Sequence, residues 1–405
     1  MQKRTNLDKL LLFKDLELVK LITGVRRSGK SFLLKLLKEH LLTSGVQLEN
    51  IVYLNFEDLD NAHLLTALDL HQYIKENGQN KTGKVYYLFD EIQFVEDWQK
   101  LVNSLRLQED ADIYLTGSNA KMLSGELATL LTGRYIRLEM TPLSYTEYLD
   151  FKGVTKQDTM YLSTHFDQYM KYGGFPLVAL QNNEDVKKSI LSGIYGDIVL
   201  RDIAVRGEIT DVNMLERVVR FLLDNIGQSI SATNIANTFK SSGIAVSPNT
   251  ISRIIQLLKD AYLFYECSRY DLRGKNRLKN TPKYYVVDTG LRNNELGKLG
   301  GNYGGQLENI VFLQLFREEY EVYTGRLDTK EIDFVAMKDG KVVYIQVALK
   351  IPENTHETDN LLLIKDNYKK LVVTYDLGSV GMIDGIPVVH IEDFLLKGVE
   401  GVLAD

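Results

Sequence analysis

Along the first third of the chain, short apolar runs alternate with stretches whose apolar positions recur every three or four residues. Residues 18–23, 51–56, 85–89, 112–115 and 135–140 each read as a short strand. Leu33, Leu34, Leu36, Leu37 and Leu41 fall on one helical face and predict a helix over residues 30–42. A further helix is expected over 120–131, stopped by Gly133. Strands interleaved with helices predict an α/β fold with a five-stranded parallel sheet, doubly wound, whose ligand lies at the carboxyl ends of the strands.

The pattern then changes. Leu215, Val218, Val219, Leu222 and Leu223 mark one helix, and Ile235, Ala236 and Phe239 mark a shorter one led by Ile230-Ser231-Ala232. A third starts at Ser247-Pro248 and carries Ile251, Ile254, Ile255 and Leu258. Strands over 263–269 and 283–287 complete a winged helix-turn-helix pattern. A helix over 307–316 and strands over 321–324, 331–337 and 341–347 point to one more α/β domain. The expected organisation is an α/β core (1–150), a helical lid or linker (151–212), a winged helix (213–292) and a C-terminal domain (300–405).

The 405 residues are 44% apolar and 25% charged, the balance of an ordinary globular protein. Cys267 is the single cysteine, which excludes an intrachain disulfide and suits a reducing cytosol. Residues 1–13 carry Lys3, Arg4, Asp8 and Lys9 among their leucines, unlike a signal peptide, and no stretch approaches the roughly 18 apolar residues of a membrane span. A cytoplasmic protein with no membrane partner is expected. The formal net charge is −6, so contact with nucleic acid needs a local basic face. Residues 215–285 provide one, with eleven Lys/Arg against five Asp/Glu. Arg253 lies on the third helix of this region, and Arg269, Arg273, Lys275, Arg277, Lys279 and Lys283 crowd the wing. Arg253, Arg273, Lys275, Arg277 and Lys279 are the candidate contacts to double-stranded DNA.

The chemistry concentrates at Gly24-Val25-Arg26-Arg27-Ser28-Gly29-Lys30-Ser31, which fits G-x-x-x-x-G-K-[ST] between a strand and a helix. Gly24 and Gly29 let the backbone wrap an anion, and the amides through Arg27 and Ser28 face the phosphates with the helix N-terminus. Lys30 is expected on the β- and γ-phosphates and the Ser31 hydroxyl on Mg²⁺. The strand over 85–89 empties into Asp90-Glu91, where Asp90 would hold Mg²⁺ and Glu91 would act as the base on the attacking water. Thr116, Ser118 and Asn119, after the fourth strand, are alternatives for a γ-phosphate sensor, with Thr116 counted among the catalytic candidates; Ser118-Asn119 also suit a helix cap. Arg134 stands before the fifth strand as a candidate arginine finger. Asn55 is a candidate partner for Glu91.

These residues, with Leu88 to Gln93, Leu115 to Asn119, Leu131 to Tyr135 and Pro142 to Tyr145, resemble a widespread group of prokaryotic AAA-type (ASCE class) ATPases. That group carries a C-terminal domain of unknown function and is kin to the archaeal ATPases and the STAND signalling ATPases. The resemblance continues through Tyr172-Gly173-Gly174-Phe175-Pro176, Arg201-Asp202-Ile203, Tyr284 to Leu291 and Glu331-Ile332-Asp333-Phe334. It implies that Pro176 lies against the bound nucleotide. Asp197, Arg201, Asp202 and Arg206 are expected on a helix, as an ion network or a solvated face.

The last domain resembles the restriction-endonuclease fold, with Glu308 on its helix and Asp333 on a strand. Gln346-Val347-Ala348 stands where active members carry (D/E)-x-K, so an inactive platform is expected, with Lys350 as the one relocated lysine to consider. The reading is an ATP- and Mg²⁺-dependent ATPase whose nucleotide state repositions the winged helix and platform on DNA, with a homo-oligomer as a further partner. The competing expectation is a STAND-like ATP/ADP switch acting on a protein without DNA.

Overall fold

β1 (Val19–Gly24) is buried at every position, as a strand flanked on both sides and both faces must be. The computed structural model describes residues 5–77, 83–107, 110–123, 131–154, 159–205, 207–274, 276–297, 301–351 and 356–404. The chain divides into two units, residues 1–141 with 260–262, and 142–259 with 263–405.

In the first unit β1 joins β2 (Ile51–Asn55), β3 (Val85–Asp90), β4 (Ala111–Gly117) and β5 (Tyr135–Met140) in an all-parallel sheet of order β2-β3-β4-β1-β5. One face packs Ile22, Leu88 and Tyr114 under Leu33, Leu34 and Leu37 of the helix Lys30–Thr43. The other packs Phe89, Ile113 and Leu115 against Trp98, Leu101, Val102 and Leu105 of the helix Trp98–Arg106. Because β4 lies between β1 and β3, the loop after β1, the acids ending β3 and the polar end of β4 meet at one sheet edge. The helix expected over 120–131 is a 3₁₀ turn at Ala120–Leu123, and the part over 124–130 lies outside the described residues.

The second unit contains an eight-stranded sheet. β6 (Phe264–Asp271), β7 (Asn276–Val286), β8 (Glu321–Leu327), β9 (Lys330–Lys338), β10 (Lys341–Ala348), β11 (Lys369–Thr374), β12 (Gly381–Ile383) and β13 (Ile386–His390) take the order β12-β13-β11-β10-β9-β8-β6-β7. The helices expected before the wing form at Val212–Asp224, Ala232–Ser241 and Pro248–Asp260. The hairpin β6-β7 is joined to this helical region by Ile230 N–H donating to Pro282 C=O at 2.9 Å. It is not a free wing. β6 is long enough to pair with β7 and also, through Arg269–Asp271, with Thr324–Arg326 of β8, so the hairpin is the edge of the last domain's sheet.

Two glycine motifs lock together in this unit. Asp288 caps the helix Thr289–Leu296, accepting from Leu291 N–H at 3.2 Å, and accepts from Gly174 N–H at 2.7 Å. Burial raises the Asp288 pKa to about 6 against the pull of these amides. Gly173 sits at φ +75°, and a Cβ there would lie 1.9 Å from Asp288 Oδ1. The segment Asp197–Val205 is helical as expected, in the π form; Asp202 is buried, Arg201 is exposed and Arg206 lies outside the described residues.

Candidate functional site

The turn after β1 is built for close backbone approach. Gly24 has φ +135°, and a Cβ there would stand 2.1 Å from Met140 C=O of β5, so no larger residue fits. Gly29 has φ +103° and is the N-cap of the helix Lys30–Thr43, with no side-chain cap over its first amides. A fourteen-residue helix with an uncapped, glycine-led start suits an anion. Lys30 is buried, its ammonium donating to Gly24 C=O at 3.0 Å and Val25 C=O at 3.1 Å, with Glu91 Oε1 3.8 Å away. Ser28 is fully buried, and Arg27 takes a left-handed turn position at φ +64° with its side chain exposed.

Asp90 and Glu91 are both buried at the end of β3. One hydroxyl joins them: Thr116 Oγ1 donates to Asp90 Oδ1 at 2.5 Å and accepts from Glu91 N–H at 2.8 Å. Thr116 is therefore a brace for the two acids, a role that spacing alone did not choose. Asp90 Oδ2 is buried without a hydrogen-bond partner among the described residues, which leaves a carboxylate oxygen open for a cation. Burial raises the Asp90 pKa, opposed by the Thr116 and Ser31 hydroxyls. Glu91 stands at φ +55°, a left-handed backbone at a non-glycine residue. Its Oε2 accepts from the Gln93 amide. Asn55 is not its partner: Asn55 Oδ1 accepts from Glu57 N–H at 3.0 Å, closing the turn after β2.

Residues 17–149 match the family model described as an AAA domain, and residues 163–300 match one described as a domain of unknown function (DUF8612). An uncharacterized protein of Haemophilus influenzae is 49% identical over 391 residues, 96% of this chain and 97% of that one. An uncharacterized protein of Methanocaldococcus jannaschii is 31% identical over 377 residues, 88% of this chain and 82% of the other. The chain belongs to the family of these two proteins, built on an AAA domain. Among solved structures, the Walker-type ATPase of Pyrococcus abyssi covers 73% of this chain and 96% of its own at 13% identity, with a TM-score of 0.44.

Within the AAA domain Arg134 is exposed and its carbonyl accepts from Val19 N–H at 2.9 Å. The register Val19↔Tyr135 to Gly24↔Met140 puts it at the amino-terminal end of β5, some ~16–20 Å of strand from the glycine loop. A guanidinium there does not reach the loop of its own chain. Pro176 opens the short helix Pro176–Ala179 in the second unit.

The basic residues of the second unit are differently disposed than their sequence density suggests. Arg253 donates to Gly207 C=O at 2.8 Å, and Arg273 forms an ion pair with Asp328. Lys275 lies outside the described residues, as do the side chains of Arg277 and Lys279, whose backbone runs in β7. Arg269 turns to Ser229 and Glu331. Lys283 is buried, 2.7 Å from Glu308, 2.8 Å from Glu331 and 3.7 Å from Asp333. Burial works against its charge, but Glu308, Asp333 and Glu331 outweigh that and raise its pKa. The lysine held by Glu308, Glu331 and Asp333 is thus Lys283, delivered by β7. Lys350 is not part of this cluster, because β10 ends at Ala348 and Lys350 is exposed beyond the strand. Gln346 Oε1 faces Asp333 N–H at 3.4 Å, and Asp333 Oδ2 accepts from Val347 N–H at 2.8 Å.

Sequence reasoning missed Lys283 and Gln93. Lys283 was hidden among wing cations, although an alternating strand must turn every second residue inward. Gln93 stands two residues beyond the acids, where its polarity next to an apolar strand end was the available signal.

Proposed function

We propose that this protein binds Mg²⁺-ATP through Gly24 to Ser31 and hydrolyses it to ADP and phosphate. The observation that carries the reading is the juxtaposition of a glycine loop, a buried lysine and two buried acids braced by one threonine. Lys30 would leave its carbonyl partners for the β- and γ-phosphates, and Glu91 would take the proton of the attacking water. Ser31 and Asp90 would hold Mg²⁺, which neutralises developing phosphate charge. Arg134 would act only on the nucleotide of a neighbouring copy in a homo-oligomer.

We further propose that nucleotide state repositions the winged helix and the nuclease-like platform on a target. DNA is the first candidate target, through Arg277 and Lys279 with Lys275. A protein target is favoured by one observation: Arg269, Arg273 and Lys283 of the basic wing are engaged by carboxylates, which removes much of the expected field.

The test is ATP turnover of wild type and Glu91→Gln, with and without duplex DNA. Glu91→Gln should lose ~10²–10⁴-fold in turnover while still binding nucleotide. Stimulation by DNA that disappears at high salt supports the DNA target. Turnover indifferent to DNA at low salt moves the target to a protein. Glu91→Gln with wild-type turnover sinks the assignment of the base.

A further inference from the structure

Glu91 has an unusual set of supports. Its backbone is in the left-handed region at φ +55°, which a non-glycine residue adopts only when its surroundings hold it there. Its N–H is held by the Thr116 hydroxyl at 2.8 Å. One carboxylate oxygen stands 3.8 Å from the Lys30 ammonium, and the other accepts from the Gln93 carboxamide. If Lys30 moves to a phosphate, the Gln93 hydrogen bond is the side-chain contact that remains on the carboxylate among those described.

We propose that Gln93 is a positioning residue that aims the Glu91 carboxylate at the attacking water. The inference rests on the reading of Glu91 as the base. Gln93 follows in the 3₁₀ turn Ile92–Phe94, directly behind the acid. Its carboxamide lies against Gly117, where a Cβ would come 2.9 Å from Gln93 Oε1 and 1.8 Å from Met122 Sδ. That Oε1 is buried and has no hydrogen-bond partner among the described residues. A buried acceptor without a donor is unfavourable, and an apolar side chain of the same shape would avoid it. The carboxamide is oriented by what its nitrogen does, which is to hold Glu91. A neutral donor on a carboxylate fixes its direction without neutralising it, as a base requires.

The test compares wild type, Gln93→Met and Gln93→Glu by kcat, KM and pH profile of ATP hydrolysis, with binding of a fluorescent ATP analogue measured alongside. Gln93→Met keeps the shape and removes the donor. It should lower kcat by ~10–100-fold while KM and analogue binding stay within about twofold. Gln93→Glu sets a second carboxylate against Glu91, so the pair holds a proton more tightly and the acidic limb of the kcat profile moves to higher pH. A merely structural role would lower the fraction of protein that binds the analogue and leave the profile in place. Wild-type kcat in Gln93→Met, or an unmoved profile in Gln93→Glu, overturns the inference while wild-type turnover stands. A wild type that binds nucleotide and never hydrolyses it overturns the hydrolysis reading, and this inference with it.

Discussion

Lys30 in the first unit and Lys283 in the second are both buried beside carboxylates, and the two differ in how the lysine is held. Lys30 donates to two backbone carbonyls of its own loop and is only loosely near Glu91, at 3.8 Å. Lys283 is clamped at 2.7 and 2.8 Å by two carboxylates, with a third at 3.7 Å. In the proposed nucleotide complex the first lysine would exchange carbonyl oxygens for phosphate oxygens with little change in its local chemistry. The second neutralises a set of acids that would otherwise be buried unpaired, and moving it would expose that cost. The same residue types therefore make an available site in one unit and a closed one in the other. Asp288 is a third solution, a buried carboxylate balanced chiefly by backbone amides, with the Arg317 charge as a smaller contribution.

The sharpest way to break this comparison is Lys283→Met. Removing one partner of a buried ion cluster should destabilise the second unit by about 3–5 kcal/mol near neutral pH. The raised Lys283 pKa means its contribution is complete below the ordinary lysine range and constant between pH 5 and 8. In the variant the burial-raised Glu308 takes over: its stability contribution is lost as pH rises, so the defect should shrink on acidification. Urea unfolding at pH 5 and pH 8 reads this directly. A neutral variant would show that Lys283 does not hold the cluster together.

Asp288→Asn sharpens the third case. With a folded pKa of about 6 against 3.8, the native state binds the proton more tightly than the unfolded chain. Asp288 should thus contribute stability that is complete below about pH 4 and lost as pH rises to about 6, a swing of about 3 kcal/mol. Thermal midpoints of the variant should lose that slope, and should be lower throughout because one of the two amides, Gly174 or Leu291, loses its acceptor.

Thr116→Val tests the available site with the smallest change. It removes the hydroxyl shared by Asp90 and Glu91 and leaves the Glu91 N–H buried without an acceptor, at about 1–3 kcal/mol. Turnover should fall by roughly tenfold, with nucleotide affinity less affected. Equal losses in both would return Thr116 to a direct phosphate contact.

Much of the first unit was legible beforehand because its signals are local. Leu33, Leu34, Leu37 and Leu41 repeat with the helix period, and all are buried. β1 to β5 appear where the apolar runs stood, and β4 falls between the loop strand and the acidic strand. The strands expected over 263–269 and 283–287 pair as the hairpin β6-β7, but its place in the larger sheet was not legible, because pairing of Arg269–Asp271 with β8 joins residues far apart in the chain.

The sequence by itself determined where most strands and helices of the first unit run, since a repeating leucine face is a consequence of nearby residues alone. Tertiary structure decided who faces whom. It gave Glu91 to Gln93 and not to Asn55, set Arg134 at the far end of the sheet, and placed Lys283 of β7 among acids from two other elements. The physical reason is that periodicity fixes a side chain's face, whereas strand register and the pairing of distant segments fix its neighbours.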